Sequence, residues 1–142
     1  MKPIIFINLP VADLKASMEF YHTLGFTNNP QFTDDTAACM VYSDEIMVML
    51  LTHEKFRSFT SKTIANAHTH VQVLNALALE SKEKVDELTA RAHNAGATEA
   101  RPKMDYGFMY DGAINDLDGH IWEFFWMDPN YVGDTEGELQ NP

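Results

Sequence analysis

The sequence has one cysteine, few basic residues and no long apolar segment. With Cys39 alone, the chain cannot form an intramolecular disulfide or a metal cage of several thiolates. Ten Lys and Arg residues against 21 Asp and Glu residues give a net charge of −11, which disfavours nucleic acid and anionic membranes as partners. No apolar run approaches the roughly 20 residues that span a bilayer, and the N-terminus lacks a signal-peptide pattern. We therefore expect a cytoplasmic protein with neither a membrane nor a nucleic-acid partner.

The length of 142 residues suits one compact domain, and 45% hydrophobic residues is ordinary for a globular protein. Residues 130–142 are acidic, contain Gly and Pro and have few apolar side chains, so we predict a solvated tail after a single domain over residues 1–129. Phosphate-binding loops, dinucleotide-binding glycine patterns, a G-x-S-x-G nucleophile motif and calcium loops are all missing from the sequence.

Hydrophobic periodicity predicts the element order β-α-β-β-β twice, with a short strand after each helix. Residues 99–102 are interpreted as a connection and residues 54–70 as a loop or short helix. The clear strands are predicted at 3–9, 38–42, 46–51, 73–79, 106–110 and 120–126, and the helices at 14–24 and 82–94.

The two halves resemble each other. Asp13 and Ser81 precede the helices as N-caps, and Gly25 and Gly96 follow them. The offset of 68 residues between the caps indicates two modules, at about 3–55 and 71–127. Paired modules place a cleft between two curved sheets; an ordinary α+β sandwich with accidental symmetry is the alternative.

Residues 3–26, 73–97 and 105–129, which include the patterns V-x-D-L and D-G-H-x-W-E, resemble the vicinal oxygen chelate superfamily. This superfamily includes glyoxalase I, extradiol dioxygenases, fosfomycin-resistance proteins and bleomycin-binding proteins. Within it, the chain is most similar to glyoxalase-related proteins with a D-Y-G-F-M-Y segment. The resemblance implies an α+β fold of paired βαβββ modules with curved mixed sheets around a cavity. It also implies homodimers whose cavities lie at the subunit interface.

In metal-dependent members of this superfamily, four His and Glu side chains hold one divalent ion that acts on the substrate as a Lewis acid. The matching positions here are Phe6, Met49, Leu74 and Glu123. Only Glu123 suits a hard or borderline cation, and one carboxylate is far short of a stable site. A shift by one residue brings in Asn8 or Asn75, which are weak ligands. We therefore predict no metal cofactor; the alternative is one Zn, Ni, Mn or Fe ion held by Glu123 and residues not recognised in the sequence.

Side-chain alternation along the strands predicts an apolar, aromatic and Met-rich ligand pocket. Apolar alternation alone is typical of a core, but a carboxylate between Trp122 and Phe124 is costly to bury without a partner. Glu123, the candidate catalytic residue, would accept a structural hydrogen bond from Tyr106, Tyr110 or Asn8, recognise a ligand amine or hydroxyl, or act as a general base. The predicted ligand-binding residues are Phe6, Asn8, Met47, Met49, Leu74, Tyr106, Phe108, Tyr110, Glu123 and Phe125.

Three functions are consistent with the sequence. The first, which we favour, is metal-independent binding of a small apolar or aromatic molecule by a homodimer, in the manner of bleomycin-binding proteins. The second is a glyoxalase-related lyase or isomerase, or a dioxygenase-like enzyme, that uses a divalent metal. The third is a protein that has an interaction surface and no small ligand. Cys39 lies on a predicted strand without a basic neighbour, which indicates a buried, unreactive thiol.

Overall fold

The structure is a computed structural model and describes residues 1–133. Most of the predicted tail, from residue 134 onward, lies outside the described residues. The first module contains β1 (Ile5–Val11), α1 (Leu14–Thr23), β2 (Thr27–Asn29), a 3-10 turn (Pro30–Phe32), β3 (Ala37–Val41) and β4 (Ile46–Thr52). After a short helix α2 (His53–Arg57), the second module contains β5 (Leu74–Ala78), α3 (Lys82–Asn94), β6 (Thr98–Asp105), β7 (Met109–Asn115) and β8 (Ile121–Met127).

The two modules build sheets with the same strand order. The N-terminal sheet runs β1-β4-β3-β2 and the C-terminal sheet runs β5-β8-β7-β6. In each sheet the first strand of the module pairs in parallel with the last, and the remaining pairs are antiparallel. The predicted α+β class and the duplication of the βαβββ unit are therefore confirmed.

Matching residues begin and end the two main helices. The side chain of Asp13 accepts a hydrogen bond from the backbone of Ala16, and that of Ser81 accepts one from Lys84, so both N-cap predictions are confirmed. Gly25 and Gly96 follow the helices with positive φ values of 98° and 108°. This left-handed conformation favours glycine and stops each helix at the predicted place.

One hydrophobic core lies between the two sheets. It combines inward residues of the N-terminal sheet, such as Val48 and Leu50, with Trp122 and Phe124 of the C-terminal sheet and the apolar sides of α1 and α3. The Trp122 ring lies 6.0 Å from the ring of Phe26, which directly precedes β2. The helix-bearing sides of the two sheets therefore contribute to one core, and the opposite sides of the sheets lie outside it.

Buried hydrogen bonds join the two modules. The Tyr21 hydroxyl on α1 donates to Asp116 at 2.5 Å and accepts from the Trp122 indole at 2.9 Å. Burial raises the pKa of Tyr21 well above its ordinary value, so the hydroxyl keeps its proton for Asp116. Asp118 adds a second connection, because its side chain accepts hydrogen bonds from the backbone of Ala12 and the hydroxyl of Ser17.

Two sequence predictions for the second module are wrong. Residues 106–108 form a turn rather than the start of a strand, since Gly107 has a φ of +81° and its backbone donates to the Asp105 side chain. The strand begins at Met109 and extends to Asn115. Residues 99–102, predicted as a connection, lie inside the eight-residue strand β6. Among residues 1–133, no helix combines the length and apolar character needed to cross a bilayer.

Candidate functional site

The outward side of the N-terminal sheet, named here the N-terminal open face, carries Phe6, Asn8, Met47, Met49 and Leu51. Phe6 pairs with Met47 and Asn8 with Met49, so these side chains lie next to each other. Phe6 is 49% exposed, although it is a large apolar residue. The structure therefore brings together all four predicted ligand-binding residues of the first module.

The short helix α2 shapes one end of the N-terminal open face. A cavity of about 380 Å³ lies there, lined by Asn8, Leu51, Phe56, Phe59 and Thr60. Two aromatic rings beside one amide suit a small ligand that has an apolar body and a polar group. Phe56 and Phe59 were not among the predicted site residues; two apolar rings within the polar segment 54–70 could have indicated them.

The outward side of the C-terminal sheet is the C-terminal open face. Its residues are Leu74, Ala76, Ala78, Ile121, Glu123, Phe125, Arg101, Asp111 and Ala113. Leu74 pairs with Ile121, and Glu123 lies between Ala76 on one neighbouring strand and Ala113 on the other. Leu74 is 55% exposed. The three predicted residues Leu74, Glu123 and Phe125 thus share this face.

A charged trio occupies the middle of the C-terminal open face. The Arg101 guanidinium donates two hydrogen bonds to the Asp111 carboxylate, at 2.8 and 3.0 Å, and one to Oε2 of Glu123, at 2.6 Å. The side chains of Asp111, Glu123 and Arg101 are 8%, 21% and 29% exposed. Hydrogen bonds from Arg101 to Asp111 and then to Glu123 raise the pKa of Arg101 above its ordinary value. The trio carries a net charge of −1.

The partner of Glu123 differs from the expectation. Tyr106, Tyr110 or Asn8 was the expected hydrogen-bond donor, but the donor in the structure is Arg101, which was not among the predicted site residues. Arg101, Asp111 and Glu123 come from three strands and have no diagnostic spacing. The one feature of the sequence that could have indicated the trio is Asp111, an aspartate within the mostly apolar segment 108–114.

Three predicted aromatic site residues lie elsewhere. Tyr110 is on the helix side of β7, where its hydroxyl donates to Asp86 of α3 at 2.6 Å. Lys103 also contacts Asp86, and its hydrogen bond and that of Tyr110 lower the pKa of this carboxyl. Tyr106 and Phe108 lie in the turn that precedes β7, where Phe108 stacks on Tyr131 with ring centroids 4.1 Å apart. The prediction that Tyr106, Phe108 and Tyr110 alternate along one strand and face the site together is therefore wrong.

The donor chemistry at the four superfamily metal positions does not fit a metal ion. Phe6 and Leu74 have no donor atom, Met49 offers only a soft thioether, and one oxygen of Glu123 accepts from Arg101. The guanidinium beside Glu123 also disfavours a second cation. Across residues 1–133, no group of three or more His, Cys, Asp or Glu side chains could hold a metal. Cys39 is 1% exposed, and burial raises the pKa of its thiol, consistent with an unreactive residue.

Comparisons with known proteins agree with this architecture. Residues 4–43 match the family described as bleomycin resistance protein-like N-terminal. The hypothetical protein SA1046 from S. aureus is 25% identical with a TM-score of 0.75, over 89% of this chain and 94% of that chain. A glyoxalase-related enzyme from Fulvimarina pelagi is 20% identical with a TM-score of 0.76, over 94% of both chains. A glyoxalase/bleomycin resistance protein/dioxygenase family enzyme from Burkholderia phytofirmans is 18% identical with a TM-score of 0.74, over 89% of this chain and 99% of that chain. No curated protein matches the sequence significantly.

Proposed function

We propose that this chain, a protein of the vicinal oxygen chelate superfamily, binds a small, partly aromatic molecule without a metal ion, in a cavity completed by a second copy of itself. The observation that carries the proposal is the composition of the two open faces. Each presents exposed apolar side chains around a few polar groups, which is the usual lining of a small-molecule site. Methionines on the N-terminal open face adapt well to aromatic ligands.

The polar groups of the C-terminal open face favour a ligand with an amine or hydroxyl. Arg101 uses Oε2 of Glu123, and within the described residues Oε1 has no hydrogen-bond partner. Because Arg101, Asp111 and Glu123 together carry a charge of −1, they attract a cationic or hydrogen-bond-donating group and repel an anion. Glu123 thus acts in recognition rather than as a metal ligand.

A second chain is needed to enclose the ligand. The helix-bearing sides of both sheets form the core, so the open faces lie outside it; a cavity of about 420 Å³ touches both faces through Asn8 and Ile121, but its lining does not include Met49 or Glu123 at their centres. In a symmetric homodimer, the N-terminal open face of one chain meets the C-terminal open face of the other, which produces two equivalent cavities. Exposed apolar residues at the start of both edge strands, including Phe6 and Leu74, support this contact.

Three matched probes test the ligand chemistry: naphthylmethylamine, naphthylmethanol and naphthoate. Isothermal titration should show binding of the amine and the alcohol, because both can donate to Glu123, and much weaker binding of the carboxylate. Glu123→Gln should weaken amine binding about tenfold, the typical effect of losing one charge-assisted hydrogen bond. Glu19→Gln changes an exposed carboxylate on α1 and should leave the affinity unchanged.

Metal independence is tested on the same protein. Treatment with EDTA should leave the amine affinity unchanged, and added Zn²⁺, Ni²⁺, Mn²⁺ or Fe²⁺ should not raise the melting temperature, because an ion bound to the native state would stabilise it. A stoichiometric ion that survives purification, together with binding that EDTA abolishes, would instead establish the metalloenzyme alternative. Equal affinity of wild-type protein and Glu123→Gln for the amine would remove Glu123 from the site.

A further inference from the structure

Another cavity lies under the segment that links the two modules, and its lining includes none of the residues named for the two open faces. It measures about 540 Å³ and is bounded by the end of β1, by α2, by residues 60–68 and by the turn between β7 and β8. This volume suits a small organic molecule. We name it the linker pocket. Its polar and charged lining residues are His53, Arg57, Thr60, Ser61, Lys62, Thr63, Asn66, His68, Asp118 and His120.

The charge of the linker pocket is opposite to that of the whole chain. Acidic residues outnumber basic ones 21 to 10 in the sequence, yet Arg57 and Lys62 line the pocket against one acid, Asp118. Both oxygens of Asp118 already accept hydrogen bonds, from the backbone of Ala12 and from the hydroxyl of Ser17. Within residues 1–133, neither Arg57 nor Lys62 forms an ion pair, so both cations are available to a ligand.

Three of the six histidines of the chain also line the pocket. Nε2 of His120 lies 2.8 Å from the carbonyl oxygen of Pro10. Since a carbonyl only accepts, Nε2 carries a proton, and Nδ1 is the second polar atom of the ring. The hydroxyls of Ser61 and Thr63 add neutral donors. This combination of cations and hydroxyls suits an oxyanion.

Hydrogen bonds and close packing preform the rim of the pocket. The Asn66 side chain accepts from the backbone of His68, and the Asn66 carbonyl accepts from the backbone of Thr69 and His70. Gly119 has a φ of +92°, and a Cβ there would lie 2.7 Å from the backbone of Ala67 and His68. Glycine in the D-G-H pattern therefore lets the linker pack directly on the turn that supplies Asp118 and His120.

We propose that the linker pocket is a binding site for the oxyanion of a small molecule, a phosphate or phosphate ester, with Arg57 and Lys62 as its principal charged contacts. The apolar part of the lining, Pro10, Ala12, Ile64, Ala65 and Ala67, would contact the organic portion of an ester. The lining of this site includes none of the named residues of the open faces, and the site prefers the opposite ligand charge.

Titration calorimetry at constant ionic strength tests this assignment with phenylphosphate, inorganic phosphate and phenol. Phenylphosphate should bind and phenol should not. Tighter binding of phenylphosphate than of inorganic phosphate identifies an ester as the source of the oxyanion, and equal binding identifies the free anion; both results support the site. Absence of binding by both anions at millimolar concentration overturns it.

Variants locate the binding on the protein. Arg57→Gln/Lys62→Gln should weaken anion binding at least about tenfold, because charge-assisted contacts are lost. Lys15→Gln removes one exposed charge from α1 and should change the affinity by less than about twofold, as expected for screened surface charge. A similar loss of anion affinity in both variants would show a general effect of protein charge and would contradict binding in the linker pocket. Circular dichroism of each variant checks that the fold is retained, and unchanged amine binding separates this result from the proposal for the open faces.

Discussion

Arg101 connects three strands of the C-terminal sheet through side chains alone. It bonds Asp111 of β7 and Glu123 of β8 from its own position on β6. Asp111 is the most buried of the three, and an unpaired carboxylate at that depth is costly. Removing Arg101 from the trio would therefore destabilise the protein, and the intact trio gives the open face its negative character.

Replacing Arg101 by methionine should destabilise the protein strongly. Arg101→Met keeps much of the side-chain length but leaves the carboxylate of Asp111 without its two charged donors, and we expect a loss of about 2–4 kcal/mol in unfolding free energy. Urea denaturation at fixed protein concentration measures the change. Arg91→Met, which breaks the exposed pair with Glu87 on α3, should cost less than about 0.5 kcal/mol.

A double variant separates charge from packing in this prediction. Adding Asp111→Asn to Arg101→Met replaces the unpaired charge by a neutral amide, so part of the lost stability should return. If the double variant were no more stable than Arg101→Met, the destabilisation would come from lost packing of the arginine stem rather than from Asp111.

The helices could be predicted from the sequence almost residue by residue, because local chemistry determines where each begins and ends. The capping side chains and the glycines after the helices act over three or four residues. Strand β6 could not be predicted in this way. Its sequence, TEARPKMD, has no apolar alternation, since it is a polar edge strand held by pairing with β7.

The candidate site could be predicted only in part, because pairing between strands cannot be read from local sequence. Alternation along β1, β4, β5 and β8 correctly groups Phe6 with Asn8 and Met47 with Met49, and places Glu123 opposite the core face. It gives no information about which strand lies beside which residue, so Arg101 could not be identified as the partner of Glu123. The D-Y-G-F-M-Y segment has strand-like composition, but Gly107 makes it a turn.

The buried Tyr21 hydroxyl is one of the contacts that join helix α1 to the C-terminal module. Tyr21→Phe leaves the Trp122 indole and the Asp116 carboxylate without this partner, and Tyr21 is 1% exposed. We expect a loss of about 1–3 kcal/mol in unfolding free energy, measured by urea denaturation. Burial also raises the pKa of Asp116, so this carboxylate depends on its donors to stay charged.

Tyr42→Phe is the matched control for this hydroxyl. Tyr42 packs on Phe26 with ring centroids 5.0 Å apart, and no side-chain hydrogen bond of Tyr42 occurs in the described part of the chain. The unfolding free energy of this variant should therefore change by less than about 0.5 kcal/mol, as is usual where no buried partner is lost. Equal effects of the two substitutions would show that the buried network does not stabilise the contact between the modules.

At the scale of the whole molecule, duplication has produced one core and two outward faces. Each module alone would expose both the apolar side of its helix and one side of its sheet. Packing the two modules together buries the apolar sides of the helices in one core. The outer side of each sheet stays exposed. A second copy can cover both faces at once, since Phe6 and Leu74 occupy corresponding positions, 68 residues apart, in the two modules.

This pairing predicts a dimer that opposite charges can break and rebuild. Sedimentation velocity should show a dimer for the wild-type protein, whereas Phe6→Lys and Leu74→Glu should each be monomeric, because each buries an unpaired charge at the proposed contact. Ala90→Glu, which adds an acidic charge on the exposed side of α3, should remain dimeric.

Mixing the two monomeric variants separates the proposed pairing from other dimers. In a mixed dimer, the lysine introduced at position 6 of one chain lies opposite the carboxylate introduced at position 74 of the other, and the second cavity is entirely wild type. The mixture should therefore sediment as a one-to-one dimer and regain amine binding at the unaltered cavity. If the dimer instead formed between two N-terminal open faces, the Leu74→Glu variant alone would remain dimeric. Mixing it with the Phe6→Lys variant would then not produce a one-to-one dimer of the two variants.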